Sequence, residues 1–492
     1  MDCKSIYLGS IPSILSKFKV LVKMKIKSKK ASKKLNVLSE DLVKASYLRE
    51  KVVQNSPVKN SRQDYSKMLD SIIQKEGSFF CSQPFIHLYV PTYGFAHPCC
   101  NTTVNVKKHV SQTGLNGIWN QPEFANLRKE MANGNKERDA TLRTCFRCIE
   151  VEYNGFENIR KLYNKDLARD KEYKEELDRL VKFVVDNPEE EYPTPNKVHT
   201  IELKLFGNYC NLKCLFCNFA DSSSVSEEWM LLGEFSYAQQ NEKMMSRSGS
   251  EIPFSFPLIN YQDNDIDEDE FWDMIRKSKR IKLVGGETWL IKQYVQILER
   301  CVEEGWAKDK KIFAFSNNFG HPNMQYIYDL LKEFERVTYK CSLEMWGDRN
   351  DYIRYPSKWP EVHKNIKLIS TLPNVSLGLT LTVGPLNIGY VDDFVRGAQE
   401  LENKVFTFNT ITRPAWYTLK SMPPDLKEFY LDKLYRNSYD ILEKIEKPIQ
   451  FLEEAEHNEM QQHVMIANIK ARDKLRGDNI LNYFPEWKPY FS

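Results

Sequence analysis

Beyond about residue 197, apolar and polar residues alternate in six short runs separated by segments of helical spacing. VHTIELKLF (198–206), RIKLVGGE (280–287), KIFAFSNN (311–318), VTYKCSLE (337–344), NVSLGLTLTV (374–383) and KVFTFNTIT (404–412) each predict a strand. Between them, LIKQYVQILERCVEEGW and MQYIYDLLKEFERV carry the three-and-four spacing of amphipathic helices. Strands joined by helical crossovers predict a parallel sheet, and units of this length suit either a partial barrel or a doubly wound sheet. In both, functional groups collect at the C-terminal ends of the strands. The last eighty or so residues read as helical and finish in the aromatic tail NYFPEWKPYF.

Upstream the texture differs. FFCSQPFIHLYVPTYGFAHPCCN, from residue 79, predicts two short strands around the turn PTYG, with Phe85, His87 and Tyr89 alternating against Ile86, Leu88 and Val90. GIWNQPEFANLRKEM predicts a short helix with Trp119, Phe124 and Leu127 on one face. Residues 155–186 read as one long charged helix with acid–lysine pairs at helical spacing, which the prolines of NPEEEYPTPN end. The expected organisation is a basic N-terminal extension (1–77), a small cysteine-rich domain (78–154), a charged helix and linker (155–196), the alternating core (197–420) and a helical C-terminal region (421–492). Residues 218–279 make an unusually long, polar and acidic connection, which suggests a lid over a site.

Composition narrows the class. A chain of 492 residues with a formal charge of +3 has no overall field that favours nucleic acid. No apolar run approaches the roughly 20 residues of a membrane-spanning helix, and the N-terminus lacks the pattern of a secretory signal, so the expected setting is the cytoplasm. Residues 17–34 hold nine lysines and no acid, and read as a solvated basic tail, with attachment to an anionic surface as the alternative. Eight of the 11 cysteines fall in three groups, 81–100, 145–148 and 210–217, a spacing that in a reducing compartment favours metal ligation over disulfides. Cys3, Cys301 and Cys341 stand apart and read as ordinary thiols.

The sharpest motif is GNYCNLKCLFCNFAD (207–221), on a loop past the first predicted strand of the core. Cys210, Cys214 and Cys217 are one thiolate short of a closed structural metal site. Short loops of this kind can wrap one corner of an iron–sulfur cubane and leave one iron for an outside ligand. The competing reading is zinc completed by a distant Cys or His. A second strand ends in Gly285, Gly286 and Glu287, where two glycines admit close approach to the backbone and the carboxylate can receive an ammonium group.

Taken together these residues resemble the radical S-adenosylmethionine (radical SAM) family, whose signature Cys-x3-Cys-x2-Cys, with an aromatic before the last cysteine, is matched by Cys210, Cys214, Phe216 and Cys217. The resemblance implies an α/β fold built as a partial (β/α)6 TIM-type barrel, a 4Fe-4S cluster on the three cysteines and S-adenosylmethionine on the open iron. It also implies methionyl-amine contacts from Gly285, Gly286 and Glu287, an adenine neighbour in Phe216, and ribose or methionyl contacts from Ser316, Asn317 and Glu344. The implied activity is reductive cleavage of S-adenosylmethionine to a 5'-deoxyadenosyl radical that abstracts hydrogen from a substrate. An electron donor such as flavodoxin or ferredoxin is implied as a partner.

Cys81, Cys99, Cys100, Cys145 and Cys148 could form a zinc ribbon. Their arrangement around GIWN and LR also resembles the auxiliary-cluster domain called SPASM or, at half length, twitch; the match includes Gly94, Pro98, Ile118, Trp119, Asn120 and Arg128. The resemblance implies a second 4Fe-4S cluster on Cys81, Cys99, Cys145 and Cys148, with Cys100 as the spare. Here that domain precedes the barrel instead of following it. Arg354, the LNI of 386–388, the TRP of 412–414 and the terminal DKLRGDNILNYFPEW extend the resemblance over about residues 78–492. The implied substrate is a peptide or protein, modified or dehydrogenated, with a small carbohydrate or nucleotide-like molecule as the runner-up. A zinc-stabilised binding protein without catalysis is the alternative of a different class.

Overall fold

The computed structural model describes residues 61–92, 94–102, 106–218, 221–232 and 266–491; the basic tail at 17–34, Cys3 and most of the expected lid lie outside them. Seven strands form one sheet: β1 (His87–Val90), β2 (Val198–Leu203), β3 (Ser278–Leu283), β4 (Lys311–Ser316), β5 (Arg336–Leu343), β6 (Val375–Val383) and β7 (Lys404–Thr410). All six neighbouring pairs are parallel, and spatial order follows chain order. Because parallel crossovers are right-handed, an order with no reversal places every crossover helix on the same face. A doubly wound sheet requires a reversal, so of the two arrangements the sequence left open the singly wound, barrel-type one is present.

The two faces differ accordingly. Ile281, Leu283, Ile312, Ala314, Val337, Tyr339, Cys341, Leu377, Leu379 and Leu381 are buried under the helices. The alternate positions carry Glu202, Lys282, Phe313, Phe315, Lys340, Thr380 and Thr407, a polar and aromatic face unsuited to a helix cover.

The α/β class and all six strands expected in the core are present. Two local expectations change. The hairpin at 85–97 does not form: Phe85 and Ile86 close a helical turn, Gln83–Ile86, with Pro84 at its start. His87–Val90 then joins β2 as a parallel edge strand, His87 opposite Thr200, and the second arm is reduced to one antiparallel bridge, Tyr89 to His97. The cysteine-rich segment is thereby built into the main sheet and shares its core. The long charged helix is broken into Ile159–Leu167 and Lys171–Asp186. The break lets Tyr163 meet His87 edge-on and Asp166 reach both His199 (3.2 Å) and Arg280 (2.5 Å), so the first half closes the N-terminal ends of β1–β3.

One helix was missed. Arg62–Glu76 lies in the stretch read as basic extension, and Tyr65, Leu69 and Ile72 pack it against Ile149 and Cys148. Its signals were in the sequence: Ser61 and Asp64 form a capping box, and Gly77, at φ 80°, ends it.

Candidate active site

The cluster loop leaves β2 and is fastened from several sides. Lys213 N donates to Tyr355 O at 2.6 Å, Leu215 N to Ile353 O at 2.8 Å, and Cys210 N to Ser223 Oγ at 3.1 Å. Asn211 donates to Phe319 O at 2.9 Å and accepts from Asn317 Nδ2 at 2.9 Å. The loop so held packs Cys210, Cys214 and Cys217 in one cluster, with Cys210 and Cys214 buried and Cys217 half-buried. Burial and the nearby Cys214 push the Cys210 thiol up to about 12, and Cys217 is raised well above the ordinary value by burial and by its two companions. Such thiols ionise only when a strong positive charge arrives, and a metal centre supplies one. All ten described cysteines are free thiols. Among the described residues, no group of three His, Cys, Asp or Glu side chains is spaced for a single metal ion. Three thiols gathered on one loop match in number the donors a cubane needs when one iron is left for an outside ligand.

Glu287 lies at the end of β3, 2% exposed. Its carboxylate accepts from Ser316 Oγ at 2.8 Å and from Asn317 N at 2.7 Å, so the residues at the end of β4 orient it. Burial raises its pKa to about 7, against those hydrogen bonds, so a cationic ligand would find a carboxylate poised to gain a partner. The two glycines before it also have a packing role. A Cβ on Gly286 would lie 2.3 Å from both Asn208 O and Tyr209 O, and one on Gly285 would lie 2.7 Å from Ile291 Cδ1. What approaches the Gly286 backbone is the chain's own cluster loop, tied there by Glu287 N donating to Tyr209 O at 2.7 Å. Gly286→Ala is therefore expected to cost about 3 kcal/mol, at the upper end of overpacking penalties, because backbone atoms are what must move. A urea midpoint indistinguishable from wild type would contradict this contact.

Glu344, at the end of β5, is buried with its pKa raised to about 7 by desolvation, which the nearby Arg354 opposes. Arg354 Nη1 donates to Glu344 Oε1 at 3.1 Å. Arg354 resists loss of its proton, despite its burial, because Cys214, Glu344, Cys210 and Cys217 surround it. Its positive charge opposes the rise of Cys214, as does that of Arg476, and the rise of Cys217. Phe216 packs on the Tyr417 ring at 5.4 Å and lies against Gly384 beyond β6. Asn387, from the LNI segment, donates to Glu344 O and Thr382 O at 3.0 and 2.9 Å, which fixes the rim where β5 and β6 end.

The second cysteine group gathers beside β1. Cys145 is raised well above its ordinary value by burial and then by Cys81, Cys99 and Cys148; Cys99 is raised by burial and then by Cys100, Cys81 and Cys148. Cys81, Cys99, Cys145 and Cys148 thus share one buried space. Asn101 Nδ2 donates to Cys148 Sγ at 3.7 Å. Cys100 has Lys282 Nζ 3.9 Å from its sulfur, and Lys282 is paired with Glu202 at 2.9 Å. Asn120 and Arg128 fasten this segment to neighbouring chain: Asn120 bonds both backbone groups of Tyr192, and Arg128 donates to Pro84 O and Trp119 O while lying 3.7 Å over the Tyr192 ring.

A clamp on the cluster loop escaped the sequence reading. Glu228, on the helix Ser223–Leu231, is buried and accepts from Arg472 at 2.6 Å and from Arg476 at 2.7 and 2.8 Å. Arg476 also donates to Lys213 O. The C-terminal helix Glu459–Arg476 thereby holds the loop that carries the cysteines.

Residues 81–149 match the family model of SPASM, an iron-sulfur cluster-binding domain. That bears out the auxiliary-cluster resemblance over the second cysteine group. No curated protein matches the chain. Among solved structures, the chain is similar to SuiB of Streptococcus suis at 12% identity and TM-score 0.32, over 73% of this chain and 70% of that one. It is similar to anSMEcpe with bound AdoMet at 12% identity and TM-score 0.32, over 50% of this chain, and spans only 61% of that protein. TYW1 with a lysine-pyruvate adduct bound is similar at 14% identity and TM-score 0.24, over 49% of this chain and 72% of that one.

Proposed function

We propose that this chain is a radical SAM enzyme with an auxiliary iron–sulfur cluster, acting on a peptide. The observation that carries the reading is the meeting of Cys210, Cys214 and Cys217 with the buried, hydrogen-bonded Glu287 at one end of the sheet, in a chain whose residues 81–149 match an iron–sulfur domain. Cys210, Cys214 and Cys217 would hold the first 4Fe-4S cluster, and Cys81, Cys99, Cys145 and Cys148 the second, with Cys100 left over. With both bound, the reduced cluster would supply one electron to the sulfonium of S-adenosylmethionine, whose C–S bond would break to give methionine and a 5'-deoxyadenosyl radical able to take hydrogen from substrate.

The chain's own residues position and shield. Glu287 would receive the methionyl ammonium, with Ser316 and Asn317 keeping its carboxylate aimed. Phe216 would give the adenine an apolar neighbour, and Glu344, steadied by Arg354, a hydrogen-bond acceptor for ribose. Arg354 also brings positive charge to the thiolates, and the clamp of Arg476 on Lys213 O keeps the loop in place while charge changes on it. The reading of the substrate as a peptide, and of the protein as a maturase or oxidoreductase, rests on the SPASM match, because such domains accompany peptide modification. A flavodoxin or ferredoxin and a cytoplasmic setting complete the proposal.

Anaerobic reconstitution tests it. About eight irons per chain with equal sulfide, and 5'-deoxyadenosine on reduction, are expected. Two zincs per chain and no charge-transfer absorbance would leave the zinc-stabilised binding protein in its place.

A further inference from the structure

The polar face of the sheet holds a cation for which the reading above has no use. Lys340 stands in the middle of β5, four residues before Glu344 and so about 13 Å along the strand from the proposed cofactor contacts. Lys282 and Lys311, the other lysines of this face, are paired with Glu202 and Glu335. Lys340 has no carboxylate within ion-pair distance among the described residues; its ammonium donates to Thr407 Oγ1 at 3.3 Å, and two of its three donors are left over. Burial without such a partner lowers its pKa from the ordinary lysine value.

The surroundings are built to place it there. Lys340 is level with Gly378 on β6, and a Cβ on Gly378 would lie 2.2 Å from Lys340 Cδ and 2.6 Å from its Nζ. The missing side chain at 378 is the space through which Lys340 crosses β6 to reach β7. On β6 and β7, Thr380 and Thr407 are direct partners in register, and Thr380 Oγ1 is buried without a hydrogen-bond partner. Phe315, level with Lys340 on β4, and Val405, level with Gly378 on β7 and 53% exposed, give the patch apolar flanks and an opening.

We infer that Lys340, Thr380 and Thr407 form a binding site for a carboxylate of the substrate, carried by an acidic peptide whose methylenes lie against Phe315 and Val405. One ammonium with two hydroxyls matches a single negative charge. The site names the substrate class of the reading above and rests on it for the catalytic role.

The test uses the reconstituted full chain with S-adenosylmethionine, titrated calorimetrically with acetyl-Glu-Glu-Glu-amide and with acetyl-Gln-Gln-Gln-amide as probes. The acidic probe is expected to bind at least about tenfold tighter, the scale of a hydrogen bond to a charged group. Lys340→Gln should erase that preference, and so should Gly378→Ala, which displaces the lysine without removing it. Equal binding of the two probes, binding of neither, or a preference that survives Lys340→Gln would overturn the site. Formation of 5'-deoxyadenosine by the wild-type preparation is measured alongside: its absence with the preference intact sinks the enzyme reading and leaves the carboxylate site standing.

Discussion

Replacing Cys214 by alanine is expected to halve the iron of the reconstituted protein, from about eight to about four atoms per chain, and to abolish 5'-deoxyadenosine formation. Two thiolates from Cys210 and Cys217 leave two irons of a cubane without protein ligands. The second site, built from Cys81, Cys99, Cys145 and Cys148, belongs to a different part of the sheet and should keep its four irons. Cys100→Ala is the internal comparison: Lys282 Nζ lies 3.9 Å from the Cys100 sulfur, and if Cys100 is the spare thiol, iron, sulfide and product should match wild type. Product from Cys214→Ala, or four irons lost from Cys100→Ala, would reverse the assignment of one site or the other.

The second large effect is on stability. Glu228→Ala removes the carboxylate that accepts from Arg472 and Arg476 and leaves two guanidinium groups in a space made for three charges, each arginine side chain at most 3% exposed. Glu228 holds its charge although burial opposes it, because both arginines hold its pKa below the ordinary value. Breaking a buried pair from one side costs about 3–5 kcal/mol, and urea unfolding monitored by circular dichroism should read a loss of that size. Because Arg476 also caps Lys213 O, the variant should lose iron from the three-cysteine site before it unfolds. A loss below about 1 kcal/mol would mean that the clamp carries little of the load assigned to it.

These two effects mark what could be read from the chain alone. The three cysteines of 210–217 are local: eight consecutive residues carry the whole donor pattern. The core strands were legible for a similar reason, since a strand with one face under helices and one polar face writes a period of two into its sequence, as in RVTYKCSL of β5. What was hidden is long-range. Alternation at 85–90 suits a hairpin arm as well as a parallel edge strand, and only the pairing of His87 with Thr200, more than a hundred residues away, decides between them. Glu228 and Arg472 are 244 residues apart and each reads alone as a helix-surface charge. The glycines of GGE were visible, but the packing that excludes a side chain at 286, against the carbonyls of Asn208 and Tyr209, was not. The helix at 62–76 writes its ends into the sequence through Ser61, Asp64 and Gly77. Lys340 offered no motif at all; its interest comes from Gly378 on the next strand.

The central claim is that the three-cysteine loop holds a cluster with an iron open to S-adenosylmethionine. Electron paramagnetic resonance on a Cys81→Ala preparation reports on it most directly, because disabling the auxiliary site isolates the spectrum of the first cluster. The reduced sample should show a 4Fe-4S signal that shifts on addition of one equivalent of S-adenosylmethionine. A reduced signal that stays unchanged under excess S-adenosylmethionine would contradict the claim.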